Sequence, residues 1–297
     1  LNTKVEVLFE GIRLDKYYKI KAEETTQLSE YLDAIPENFC YLLMGHWMQG
    51  DLGEDRKNIG YTIKTFLETF KNKMNRPALI LKSHTSTTSI MDRERMLDKI
   101  DEVRKTVKGS VPNIYLIHGE VDDAEINELY NHPKVKAFVS LTKGEGFGRP
   151  FLEFSTIGKP IIASNWSGHT DFLKDEYVRY VTGTLEKVHK SAAIKNLILE
   201  EASWFRPDDI DVARAYKDIQ KHYKKYLGLA KKQSSYVKRT FSYEKMVETV
   251  DTLMVRYVPD FPKQVELSLP KLNLPKLKKV GEDSSPKITL PKLQKLT

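Results

Sequence analysis

The sequence predicts an α/β chain, a Rossmann-like parallel sheet with helices on both faces. It adds a helical flank and an extended C-terminal tail. Three observations carry this. Short apolar runs alternate with longer amphipathic ones over the first two thirds of the chain. The spacing from one run to the next leaves room for a helical crossover, which parallel strands require. Finally, 40% apolar residues in 297 supply enough side chains to cover a sheet on both faces.

Taken in order, FCYLLMG (39–45) predicts the first strand and the pattern near 58–73 a helix. PALILKS (77–83), a helix near 91–107 and NIYLIHG (113–119) follow, then a helix near 123–131 and VKAFVSL (135–141). A helix from about 150, PIIAS (160–164) and YVRYV (177–181) complete the alternation. From about 191 to 257 the periodicity predicts helix throughout, in IKNLILEEASWF, VARAYKDIQKHYKKYL and YEKMVETVDTLMVRY. In such a sheet ligands bind beyond the carboxyl ends of the strands. That rule places Gly45, Ser83 to Thr88, His118 to Asp122, Thr142 to Gly148 and Asn165 to Thr170 along one rim. Three segments result: an entry segment over 1–20, a sheet domain with its flank over 21–258, and a tail over 259–297.

The tail holds six of the 13 prolines and repeats LPKL at 269, 274 and 290. Proline at that density excludes long helices and favours extended backbone. Two readings stay open: a solvated low-complexity tail, or an arm that docks on a protein partner through its leucines. Of the formal charge of +7, the tail carries +4 and the body only +3. A body built for duplex DNA is not indicated, and the tail lacks the interleaved aromatics that stack on single strands. No nucleic acid partner is expected. A single cysteine, Cys40, excludes an intramolecular disulfide and a thiolate zinc site, and makes a reducing, cytoplasmic compartment the expectation. No apolar stretch approaches the ~20 residues that span a bilayer, and no signal-peptide pattern opens the chain. Leu1 stands where a methionine would, as in a processed or partial chain.

The chemistry concentrates in KGEGFGRPFLEFSTIGKPIIASNWSGHTDFL (143–173). If a strand ends at Thr142 and a helix begins near Arg149 or Pro150, the proline falls where a missing N–H costs nothing. The amides of Gly146, Phe147 and Gly148 then crown a helix N-terminus, where unpaired donors and the macrodipole favour an anion. Glu145 precedes this turn and Glu153 follows it. The pair could grip the two ends of one ligand. Equally, Glu153 could serve only the helix dipole while Glu145 is solvated.

GEGFGRPFLE followed by STIGKPIIASNWSGHTDFL closely resembles the signature of retaining glycosyltransferase family 4, whose two-domain architecture is called GT-B. GHWMQGDLGEDRKNIGYTIKTFLETF (45–70), VDDAEINELYNHPKVKAFVSL (121–141) and FSYEKMVETVDTLM (241–254) are similar to further parts of the family's donor-binding domain. VEVLFEGIRLDKYY (5–18) resembles the linker entering it. The resemblance implies transfer of a sugar from a nucleoside-diphosphate sugar, with no metal required and no cofactor beyond that donor. It implies that Glu145 contacts the sugar hydroxyls and steadies positive charge at the anomeric carbon, and that Glu153 bonds the ribose. The amides of Gly146, Phe147 and Gly148, together with Lys57, would bind the diphosphate. His46 stands where the family commonly has arginine, and Arg56 is the substitute cation. The resemblance also implies a missing acceptor-binding domain of about 150–200 residues, as a preceding segment or a separate protein partner; the acceptor is unspecified. The competing expectation is a catalytically incomplete binding or assembly module that docks through its LPKL tail. His84, His118 and His169 read as polar rim residues. Asp122 and Asp123 read as a helix cap, and Trp166 as a packing or stacking residue.

Overall fold

The computed structural model describes residues 4–20, 27–50, 52–85 and 87–258. Contacts divide the chain into one compact unit, Leu1–Arg256, and a second, Tyr257–Thr297. The LPKL tail expected to be extended lies outside the described residues.

The elements are α1 (Gln27–Asp33), β1 (Cys40–Met44), α2 (Ile59–Phe70), β2 (Ala78–Lys82), α3 (Ile90–Lys105) and β3 (Ile114–Ile117). They continue with α4 (Asp123–Asn131), β4 (Val135–Ser140), α5 (Arg149–Ile157), β5 (Ile161–Ser164), β6 (Arg179–Val181) and β7 (Gly183–Lys187). β8 (Ser203–Pro207), α6 (Asp209–Lys221), α7 (Tyr223–Thr240) and α8 (Tyr243–Tyr257) complete the set. Six strands form one parallel sheet in the order β3-β2-β1-β4-β5-β6. Strand order therefore reverses between β1 and β4. That is the switch point at which doubly wound sheets bind ligands.

Alternation along each strand sorts the core into two layers. Cys40 and Leu42 of β1, Ala78 and Ile80 of β2 and Phe138 of β4 pack with Leu129 and Tyr130 of α4, Phe151 and Phe154 of α5 and Val237 of α7. Tyr41 and Leu43, Leu79 and Leu81, and Ala137 and Val139 face the other way, onto Ile63 and Phe66 of α2, Met96 and Val103 of α3 and Tyr216 of α6. Tyr41 is the centre of that second layer. Its ring meets Phe66, Phe70 and Tyr216, and its hydroxyl donates to the Tyr216 carbonyl at 2.7 Å. Burial of Phe66 alone contributes about 1.5–3 kcal/mol.

The helical reading of 191–257 needs correction at its start. IKNLILEEASWF does not form a helix: Asn196 sits at φ 63, Ile194 and Ile198 close a tight turn on each other, and Ser203–Pro207 form β8, antiparallel to β7. The apolar spacing there misled because Leu197 and Leu199 are exposed, and the segment's buried aromatic, Phe205, is buried from a strand, β8. VARAYKDIQKHYKKYL straddles the break between α6 and α7 at His222, whose backbone is non-helical. The short α1 and the β7–β8 hairpin were not expected from the sequence.

Candidate functional site

At the switch point the loop after β1 and the loop after β4 are sewn together by backbone and side-chain bonds. Lys143 N–H donates to the Arg56 carbonyl at 2.9 Å, and Asn58 Nδ2 donates to the Leu141 carbonyl at 2.9 Å. This seam brings three expected residues into one cluster. Lys57 Nζ lies 2.6 Å from Glu145 Oε1 and an Arg56 guanidinium nitrogen 3.4 Å from Oε2. The same Arg56 nitrogen donates to the Gly144 carbonyl at 2.7 Å. Two cations thus share one carboxylate whose side chain is only 9% exposed. The surplus positive charge stands in a partly desolvated place, where it attracts an anion more strongly than on an open surface.

The turn that follows is built for close approach. Gly148 caps α5 at φ 96, with Pro150 in the first turn and no side chain capping the amides. Among the described residues no acceptor engages the N–H groups of Gly146, Phe147 or Gly148. Free donors at a helix start form an anion-binding site with the macrodipole behind it. The second glycine turn, at 165–170, supports this one from behind. Ser167 Oγ accepts from the Glu145 N–H at 2.8 Å, and Gly168 N–H donates to the Glu145 carbonyl at 3.1 Å. A Cβ on Gly168 would lie 2.0 Å from the Gly146 carbonyl oxygen, so only glycine permits the two turns to touch. His169 is fully buried and stacks on Phe151 at 4.5 Å. Its Nε2 sits 2.7 Å from the Ser164 carbonyl, which fixes the proton on that nitrogen and leaves Nδ1 without a partner. Burial lowers the pKa of His169 and keeps the ring neutral. Ser167, Gly168 and His169 were not read as supporting residues. Their signal was a second glycine turn one strand along.

Glu153 lies past the first turn of α5 and is buried, so it does not serve the helix dipole. Tyr130 Oη donates to its Oε2 at 3.0 Å, and Arg149 reaches Oε1 at 3.5 Å. Burial raises the carboxyl pKa above its ordinary value, against the opposing pull of Tyr130 and Arg149. Tyr17, from the entry segment, donates to Asp123 at 2.9 Å, and the Asp123 charge also raises the Glu153 pKa. Glu145 and Glu153 therefore stand on opposite sides of the turn with different partners.

His46 meets His84 ring to ring at 4.1 Å. Burial, then His84, then Lys57, Lys82 and Arg56 lower its pKa, so this ring is neutral at neutral pH. His118 pairs with buried Asp92 at 3.0 Å, and Asp122 with Glu125 forms a capping box on α4. A cleft of about 650 Å³ continues the rim past the ends of β2 and β3, lined by Lys82, His84, Gly119 and Val121 among others. Among the described residues no group of three His, Cys, Asp or Glu side chains could hold a metal ion, and no helix is long and apolar enough to cross a membrane.

Residues 110–201 match the family Glycosyl transferases group 1. That segment contains Glu145, the glycine turns and Glu153, while Arg56 and Lys57 lie outside it. No curated protein matches the chain by sequence. Among solved structures, sucrose-phosphate synthase from Thermosynechococcus elongatus is similar at 16% identity and a TM-score of 0.55, over 83% of this chain and 51% of that one. Anabaena Alr3699/HepE, in complex with UDP and glucose, is similar at 12% identity and a TM-score of 0.59, over 84% and 57%. The C-terminal domain of a glycosyl transferase group 1 family protein (LpcC) from Francisella tularensis is covered completely, by 78% of this chain, at 16% identity and a TM-score of 0.52. The chain thus has the Rossmann-like fold of GT-B proteins, and it spans about half the length of the sucrose-phosphate synthase and HepE chains.

Proposed function

We propose that this chain is the donor-binding half of a retaining glycosyltransferase of family 4, moving a sugar from a nucleoside-diphosphate sugar to an acceptor presented by a second domain. The carrying observation is that Arg56, Lys57 and the free amides of Gly146 to Gly148 converge beside Glu145 at the switch point. Support comes from the group 1 match over residues 110–201, which holds Glu145 and the glycine turn, and from the UDP held by HepE on a similar fold. As the glycosidic bond breaks, its electron pair passes to the leaving phosphate oxygen. Cations and amides already aimed there bind the transition state more tightly than the ground state. Glu145, relieved of Lys57 by the incoming diphosphate, turns its carboxylate to the sugar and offsets charge at the anomeric carbon. Glu153 accepts from the ribose hydroxyls in a charge-assisted bond, with the base directed into the cleft beyond β2 and β3. His46, neutral, contributes contact rather than charge to the diphosphate. The buried free thiol of Cys40 suits a cytoplasmic setting.

The test is calorimetric binding of UDP and GDP to the chain, and sugar release from UDP- and GDP-sugars. Binding with turnover that Glu145→Ala abolishes is the expected result. Binding without turnover in the presence of an acceptor-domain partner would leave a nucleotide-binding module. No binding at millimolar nucleotide would overturn the reading.

A further inference from the structure

Helix α7 carries six cations and no acid over its 18 residues. Lys224 and Lys225, Lys231 and Lys232, and Lys238 and Arg239 form three adjacent pairs, each seven residues after the last. Seven residues are nearly two whole turns, so the pairs fall into two columns about 100° apart that climb the helix in steps of about 10.5 Å. Only Gly228 and Ser235 stand between the columns, and both are too short to rise above the lysines. The opposite side of the helix packs into the fold, through Ala230, Gln233, Ser234 and Val237. Five of the six charged residues are exposed and Lys238 is half-buried. Among the described residues none of the six has an acidic partner.

The positive field extends past the helix. Lys136 Nζ lies over the Tyr223 ring at 5.9 Å, at the start of α7. Lys19 acts on Lys238 near its end, and Lys136 and Lys19 act together on Lys159. Burial first and these neighbours second lower the pKa of both lysines, Lys159 to about 7, and no carboxylate opposes them. Of the +3 carried by the chain before the tail, α7 supplies +6, which leaves −3 on all the rest. Like charges gathered this way repel one another, and an anionic partner removes that repulsion.

The face also selects among polyanions. Single-stranded nucleic acid stacks its bases on open aromatic rings. Each tyrosine of α7 is half-buried with a lysine over its ring: Tyr223 under Lys136, Tyr226 under Lys225 at 5.6 Å and Tyr236 under Lys174 at 4.8 Å. Base edges of a duplex are read by arginine, asparagine and glutamine. Arg239 is the lone arginine of α7, and the side chain of buried Gln233 is taken up by the Lys174 N–H and the Phe172 carbonyl. What remains is an array of point charges on a broad, shallow surface. A duplex is a rod and would meet one column of it, whereas a plane of lipid headgroups meets both.

We propose that the outer face of α7 binds the surface of an anionic lipid bilayer. The contact is peripheral and electrostatic, of the kind clustered lysines make with acidic headgroups. It is independent of the donor-site reading, since no residue of that site lies on α7.

The experiment measures partition of the full chain onto vesicles by co-sedimentation. Vesicles of phosphatidylserine mixed with phosphatidylcholine are the probe, with pure phosphatidylcholine vesicles and a short DNA duplex as separate arms. The mixed vesicles should bind the chain and pure phosphatidylcholine should not. Binding should fall by about tenfold or more between about 0.05 and about 0.3 M salt, as the Debye length shortens. Each neutralised lysine should weaken partition by about fivefold. Lys231→Gln combined with Lys232→Gln should therefore lose about 20- to 30-fold, with circular dichroism unchanged. Lys231→Arg combined with Lys232→Arg keeps the charge and should bind as the parent does. The tail has lysines of its own, so a glutamine pair that partitions like the parent would assign the binding elsewhere and overturn the proposal. So would equal binding to pure phosphatidylcholine, no binding to mixed vesicles at low salt, or a duplex held more tightly than the vesicles at the same salt.

Discussion

Asp55 precedes Arg56 and is fully buried. One carboxylate oxygen accepts from the Ile59 N–H at 3.3 Å, and Oδ1 has no partner. Burial pushes its pKa from 3.8 up to about 6, against the pull of that amide, Lys99 and Lys143. A group whose folded pKa is raised stabilises fully below its unfolded pKa, and that contribution is lost as pH rises through the folded one. From 3.8 to about 6, at about 1.4 kcal/mol per pH unit, the loss is about 3 kcal/mol. The buried histidines titrate with the opposite sign, so the parent chain alone does not isolate the effect. Asp55→Asn does, because it subtracts one group. Urea unfolding of both proteins from about pH 4 to about pH 8 should show the variant gaining about 3 kcal/mol relative to the parent as pH rises, whatever their difference at the acid end. A difference that stays constant, or that drifts against the variant, would refute the reasoning and mean that Asp55 is charged and solvated.

Three other outcomes follow from the geometry. Lys57→Met should weaken UDP binding by about 10- to 100-fold, the worth of one hydrogen bond to a charged group, with circular dichroism unchanged. A Lys57→Met protein that binds UDP as the parent does would remove Lys57 from the site. Gly148→Ala, at φ 96 and with a Cβ 3.0 Å from that of His169, should cost about 1–3 kcal/mol in urea unfolding. Gly146→Ala, whose Cβ would meet nothing within 4 Å, should leave stability unchanged. Tyr130→Phe removes the donor that lowers the Glu153 pKa, so the pH midpoint for nucleotide binding should move upward in the variant. Calorimetry across pH checks the direction.

The parallel sheet was legible because FCYLLMG, PALILKS and VKAFVSL are apolar runs between amphipathic helices, and the strand ends then fixed the rim by the switch-point rule. Glu145 and Glu153 were legible as a pair on either side of a glycine turn. Their environments were not. Nothing local announces that Lys57, 88 residues away, meets Glu145, or that Glu153 is buried against Tyr130 from another helix. Residues 194–205 were misread because helical periodicity measures only what could share a face, and here the hairpin partner at 183–187 decided the matter. Ser167 and Gly168 escaped because their work is to hold another turn's backbone. That contact exists only once β4 and β5 lie side by side.

One small feature near the start of the chain governs how this fold bears load. Ile12 donates its N–H to the Phe241 carbonyl at 2.8 Å and accepts from Tyr243 N–H at 2.9 Å, fastening the segment before the sheet to the foot of α8. Those two bonds close a ring around every strand and every residue of the candidate site. Tension applied through residues preceding Ile12 and following Tyr243 meets that clasp, with the Glu6–Arg256 ion pair and the Gly11 N–H to Met246 Sδ contact outside it, before it reaches the β-sheet.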